Sequence, residues 1–331
     1  MSLNEFFDAV KNGELQIVQN YIDQNPLIIN ELNVLDETAL YIAALNGKKD
    51  IVSFLISKEA KLDVDGCESA LMAAYLNGYK DPEELNPAEL NLYTNIVIEL
   101  INAGADLKVE DIMFGTLLMF ECSKKNPNSH LIEKLIEKGG SDLINQKSEY
   151  NGETALMNAC GEGHYDIVTK LIDGGADINI INNDVIENAL MKACIKGHVS
   201  IVQKLLENGT QNINQKNHMG FTAYMITHIS EEGEEEDNNK EKFKEIKTIL
   251  IEKGADDNIQ NINALIAAND ALDAESEYDG RKKSKSVKRK KSKSVKRKKS
   301  KSVKRRKKSK SVKGRKKSKS VKGRKKSKPY L

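Results

Sequence analysis

Apolar and polar positions recur along this chain in a frame of 34 residues. Thr154-Ala-Leu-Met-Asn-Ala-Cys-Gly-Glu-Gly163, with His-Tyr-Asp-Ile-Val-Thr-Lys-Leu-Ile172 after it, returns as Asn188-Ala-Leu-Met-Lys-Ala-Cys-Ile-Lys-Gly197 and His-Val-Ser-Ile-Val-Gln-Lys-Leu-Leu206. Thr38-Ala-Leu-Tyr-Ile-Ala-Ala-Leu-Asn-Gly47 and Ser69-Ala-Leu-Met-Ala-Ala-Tyr-Leu-Asn-Gly78 share the first half of the pattern, and looser copies start at Asn4, Thr116, Thr222 and Asn263. Eight units thus begin near 4, 38, 69, 116, 154, 188, 222 and 263. A unit of this size cannot bury an apolar face alone, so the pattern predicts stacked repeats sharing one continuous core.

Each unit reads as two helices except the last, from Asn263, which has one helix and then acidic residues, as expected of a capping repeat. The first residue is Thr, Ser or Asn, whose side-chain oxygen can accept an orphan backbone N–H at a helix start. About eight residues of helix follow, with Leu and Ala turned inward. In five units a glycine stands nine residues after the cap (Gly13, Gly47, Gly78, Gly163, Gly197), where a left-handed residue would end that helix. A second helix carries Ile-Val and then Leu or Ile at helical spacing, as in Ile167, Val168, Leu171 and Ile172. Gly-Ala-Asp closes it at Gly104, Gly175 and Gly254, and a short polar stretch leads to the next cap. Two long spacings locate insertions near 79–95 and 231–242, both expected in loops between paired helices, where added length is tolerated.

The Thr-Ala-Leu opening, the helix-ending Gly and the Gly-Ala-Asp closure resemble the ankyrin repeat family over about residues 4–272. That resemblance implies an all-α solenoid of about eight helix-turn-helix units with projecting β-turns, and no catalytic, cofactor or metal site. Where the family has Thr-Pro-Leu-His, this chain has Ala for Pro and Tyr41, Met72, Met157 or Met191 for His. The abundance of Asn, Ile and Lys is similar to that of ankyrin proteins of protists and giant DNA viruses. The family binds protein partners on the concave face made by first helices and turn tips. Partner-binding candidates are accordingly Ile42, Leu45, Leu76, Ile195, Asp184 and Val185, with further tips at Asp36-Glu37 and Asp65.

Charge divides the chain a second time. The 331 residues hold 52 Lys+Arg against 49 Asp+Glu, a net +3, but 30 of the basic residues and none of the acidic ones lie in 281–331. Residues 1–280 therefore carry −27. We divide the chain into a repeat domain at 1–279 and a Lys/Arg/Ser-rich tail at 280–331, expected to be disordered because its like charges repel and one Val per copy builds no core. Lys-Ser-Lys-Ser-Val-Lys recurs there with its first Ser at 284, 292, 300, 309 and 318. Such a segment neutralises phosphates without reading bases. Its polyanion-binding candidates are Arg289, Lys290, Lys291, Arg297, Lys298, Lys299, Arg305, Arg306, Lys307 and Lys308. Three roles stay open for it: binding nucleic acid or another polyanion, nuclear targeting, or contact with the protein's own acidic body.

Other chemistry is sparse. Cys67, Cys122, Cys160 and Cys194 are far apart with no CxxC, which fits reduced thiols inside the cell. Cys160 and Cys194 sit one repeat apart at a small inward position, and Met72, Met157 and Met191 share one register, so both sets are expected in the interior. His164 and His198 follow the helix-ending Gly, where a turn-holding side chain is expected. No phosphate-binding loop, HExxH or GxSxG is present, so no enzyme is expected. With no apolar run long enough to span a bilayer and no secretory leader at the start, the protein is expected in the cytoplasm or nucleus, as a monomer. The sequence therefore points to a protein-interaction scaffold with a polybasic tail. Its alternative is a sequence-nonspecific nucleic-acid-binding protein whose acidic repeat body masks that tail.

Overall fold

The computed structural model describes residues 2–78, 87–112, 115–183, 185–259 and 262–267. Within the compact unit Met1–Ile262, the chain folds as seven successive helix pairs. They are α1 (Leu3–Asn12) with α2 (Leu15–Gln24), α3 (Ala39–Leu45) with α4 (Lys49–Ser57), and α5 (Ala70–Gly78) with α6 (Pro87–Ala103). Then come α7 (Leu117–Ser123) with α8 (Ser129–Ile144), α9 (Ala155–Glu162) with α10 (Tyr165–Asp173), α11 (Ala189–Ile195) with α12 (Val199–Glu207), and α13 (Ala223–Gly233) with α14 (Asp237–Glu252). First helices pack on first helices, α5 and α7 being the loosest step, and second on second, so each pair leans on its neighbours. In the second unit, residues 263–267 are helical and Asn263 lies within the helix.

Local capping explains the starts. The side chains of Thr38, Thr116, Thr154, Asn188 and Thr222 each accept the backbone N–H three residues on. Ser69 makes the same contact at 3.5 Å. The first unit differs from the expected start at Asn4: its cap is Ser2, which forms a capping box with Glu5 and places Asn4 inside α1.

Behind the caps, Leu40, Leu71, Leu156 and Leu190 are each 1% exposed, and Ala43, Ala159 and Ala193 are fully buried. Met157, Met191, Cys160 and Cys194 join this interior as expected. Burial pushes the Cys122 and Cys160 thiols well above the usual range and Cys194 up to about 12.

The glycine register holds at four positions and fails at the fifth. Gly13, Gly47, Gly163 and Gly197 have φ of 88, 64, 84 and 73°. Gly78 is instead the last helical residue of α5, and its reason is proximity: a Cβ there would stand 2.6 Å from Cβ of Tyr93. The turn glycines are covered from the following repeat as well. Lys48 covers Gly13, Tyr93 covers Gly47, His198 covers Gly163 and Phe243 covers Gly197. Tyr93 and Phe243 thus stand where other units have the residue after the turn glycine, and Ile96 and Ile246 follow at the spacing of Ile167 after His164.

That register corrects the expectation for the insertions. Residues 79–86 lie outside the described residues, but the rest of the first insertion is helix, lengthening α6 to 17 residues. The second extends α13 to 11 residues and α14 to 16, leaving Glu234–Glu236 between them. Extra helical turns satisfy their own backbone groups, so the added length stacks onto the array as helix.

Between pairs the chain turns back in short hairpins. Glu110–Asp111 pairs antiparallel with Gly115–Thr116. Elsewhere Asn33, Asn182 and Asn217 hold the turn by accepting backbone N–H groups within five residues, an Asx device. Asparagine also ties repeat to repeat. Asn145 donates to Gly175 O while its carbonyl accepts Asp177 N–H, and Asn214 repeats this with Gly254 and Asp256. The high Asn content thus has a structural use beyond the caps.

Candidate partner-binding surface

The first helices and the hairpins form one face of the array, and a cleft of about 570 Å³ opens on it. Leu45 from α3 and Met72, Ala73 and Leu76 from α5 supply its apolar floor, and the hairpin at Val109–Ile112 closes one side. Two of the expected partner residues, Leu45 and Leu76, therefore meet here, both half-buried. Ile42, also expected on this face, is 6% exposed and belongs to the interior, because its position on α3 turns it toward the neighbouring helices. Ile195 is half-buried on α11, distant along the array from the cleft. Val185 is half-buried, and its carbonyl accepts from both the backbone N–H and the ring of His218 in the next hairpin. Asp184 and the ten tail residues Arg289 to Lys308 named above lie outside the described residues.

The hairpin tips carry more apolar surface than the sequence suggested. Val34 is 87% exposed, Leu35 71%, Ile112 87% and Tyr150 71%. Reading the tips as acidic (Asp36-Glu37, Asp65) missed these residues. Their signal was present as Val34-Leu35 between Asn33 and Asp36, an apolar pair at a turn whose backbone hydrogen bonds Asn33 already supplies. Large apolar groups held out at successive tips are more informative than the acidic groups beside them.

Electrostatically, the cleft has an anionic rim. Glu68 accepts the Tyr41 hydroxyl, so Tyr41, in the family's His position, restores a contact to the next hairpin. Burial first, and then that hydrogen bond and the Glu68 charge, push the Tyr41 hydroxyl far above its ordinary value. Glu110 accepts Gln146 Nε2 at 2.7 Å and Glu149 N–H at 2.8 Å. Both carboxylates take neutral donors, and among the described residues neither forms an ion pair, so the cleft edge carries negative charge.

Two further groups lie behind this face. Glu121, 1% exposed, accepts Tyr75 Oη at 2.7 Å, Lys124 Nζ at 2.8 Å and Asn128 N–H at 2.8 Å. It stands five residues after its cap, where the regular repeats have Ala159 and Ala193. Tyr75 stands where they have Cys160 and Cys194, and it packs edge-on against Phe120 at 5.4 Å. Long polar side chains thus bridge α5 to α7, and of the neighbouring first helices this pair approaches least closely. Sequence reasoning missed Glu121 because nothing local marks a carboxylate as buried.

His164 and His198 also act between repeats. His164 Nε2 donates to Lys124 O at 2.7 Å and His198 Nε2 to Gly161 O at 3.2 Å; a carbonyl only accepts, so Nε2 carries the proton. Each ring ties down the turn of the preceding unit instead of its own. Gly163 serves this directly, since a Cβ there would lie 2.5 Å from His198 Cε1.

Burial depresses the His198 pKa, against the carbonyl of Gly161 and the charge of Glu162, with Lys196 and His164 adding to the depression. The unfolded chain then binds the proton more readily. The contribution is complete above an unfolded His pKa of about 6.5 and is lost as pH falls from there through the folded value. Urea midpoints measured from pH 7.5 to 5.5 should fall more for the native protein than for His198→Gln; parallel curves would refute the linkage.

Comparison with known proteins agrees with this architecture. A family model described as "Ankyrin repeats (3 copies)" matches residues 6–82 and 88–182, and one described as "Ankyrin repeat" matches 187–218. The chain is 29% identical over 169 residues to the Caenorhabditis elegans ankyrin repeat and KH domain-containing protein mask-1, covering 51% of this chain and 6% of that protein. It is 29% identical over 135 residues to the Mus musculus ankyrin repeat and SAM domain-containing protein 6, covering 40% of this chain and 14% of that one. The chain thus spans a small part of these relatives' length.

Among solved structures, one chain of the complex of a Bdellovibrio bacteriovorus predatory endopeptidase with its immunity protein aligns at TM-score 0.45 and 28% identity, covering 61% of this chain and 96% of that one. The human ASB11 ankyrin repeat domain aligns at TM-score 0.47 and 16% identity, covering 73% and 96%. Among the described residues no helix is long and apolar enough to cross a membrane. With most of its length matched by the family models and its helix pairs set in the same register, the chain belongs to the ankyrin-repeat family.

Proposed function

We propose that this protein is a non-enzymatic interaction scaffold or adaptor whose repeat array binds a protein partner and whose tail binds a polyanion or directs the complex to the nucleus. The observation that carries the adaptor reading is the face formed by first helices and hairpins. It holds an apolar cleft and sets Val34, Leu35, Ile112 and Tyr150 out in solvent. Large apolar groups exposed on one face suit a partner better than water. Leu45, Leu76, Ile195 and Val185 are the remaining partner candidates on that face.

The segregation of charge favours a second reading, in which sequence-nonspecific nucleic-acid binding by the tail is the main task. Affinity capture in the native cell with full-length protein and with residues 1–280 separates the two. An adaptor retains its protein partners after truncation. Loss of every protein partner with the tail would overturn the adaptor reading and leave the second.

A further inference from the structure

We infer that the cleft between α3, α5 and the Val109–Ile112 hairpin receives a partner segment with a large apolar side chain flanked by Lys or Arg. This deepens the adaptor reading and rests on it. The floor is Leu45, Met72, Ala73 and Leu76, while Ile112 stands 87% exposed at the margin as an apolar wall. A volume of about 570 Å³ admits more than one large side chain.

The partner's charge follows from the rim. Glu68 and Glu110 spend their hydrogen bonds on Tyr41, Gln146 and the Glu149 N–H, all neutral donors. Among the described residues neither is paired with a cation, so negative charge lies at the edge of an apolar hollow, where a basic side chain gains more than it would in open water. An acidic or phosphorylated segment would meet like charge there and be rejected. Arg or Lys on either side of the apolar anchor satisfies both features, with charge-assisted hydrogen bonds available to the second lone pairs of the rim carboxylates.

The test uses full-length protein and three fluorescein-labelled heptapeptides. One has a central leucine with two arginines on each side, one has alanine in place of the leucine, and one has serines in place of the arginines. Fluorescence anisotropy at low salt should show the arginine–leucine peptide binding at least tenfold more tightly than either control. Ile112→Ser, at an exposed tip where folding is unaffected, should weaken it roughly tenfold. Glu68→Gln should weaken it several-fold and reduce its salt dependence, because one charge has been removed. Circular dichroism of both variants verifies that the array is intact. Equal binding of the three peptides, or no effect of Ile112→Ser, would overturn the assignment. The adaptor reading would then still stand or fall on partner retention after tail truncation.

Discussion

Replacing Glu121 with alanine is expected to destabilise the repeat array by about 3–5 kcal/mol. Its carboxylate is buried and accepts from Tyr75, from Lys124 and from the Asn128 N–H. Lys124, with 16% of its side chain exposed, would lose the carboxylate that offsets its own desolvation. Removing one partner of a buried pair costs far more than the pair contributes relative to an apolar substitute, since the other charge stays in place. Glu121→Gln keeps one acceptor oxygen and should fall between the two. Urea denaturation gives the difference, and since each unit leans mainly on its neighbours, helix loss should begin around α5–α8. A change below about 1 kcal/mol for Glu121→Ala would show that this network is not a structural joint.

The second large effect concerns the tail. With 30 basic residues and no acidic one in 281–331, a peptide of that span is expected to bind duplexes of unrelated sequence with similar affinity. Each neutralised phosphate releases condensed counterions. Contact with about 8 phosphates therefore sets a slope of log K against log salt near −7, and a loss of roughly 10³–10⁵-fold between 50 and 200 mM. Glutamate at Ser292, Ser300 and Ser309 should weaken binding by replacing neutral groups with negative ones, while alanine there should not. Fluorescence titration at four salt concentrations measures the slope. Salt-independent binding, or clear preference for one base sequence, would refute the electrostatic mechanism.

Sequence alone determined what depends on neighbours a few residues apart. Thr38, Thr154 and Asn188 cap their helices through an N–H three positions on, and a Thr or Asn before an apolar helix shows that capacity in any context. The 34-residue frame placed Leu156, Met157, Cys160 and their copies in the core, because helical period and repeat register together fix which way a side chain turns. The family followed from the same frame.

What only the tertiary structure decided depends on the adjacent repeat. Gly78 looked like a left-handed terminator and is instead the place where Tyr93 comes closest. His164 and His198 looked like supports for their own turns and reach back to the previous one. The insertions looked like loops, yet residues 87–95 of the first and most of the second are helix, extending α6, α13 and α14. Ile42 and Leu45 are three residues apart on one helix, yet the interior claims the first and the cleft exposes the second. Glu121 looked like any other glutamate in an acidic repeat domain until Tyr75, Lys124 and the Asn128 N–H converged on it. Burial and convergence are properties of two surfaces meeting, and a one-dimensional pattern records only one of them.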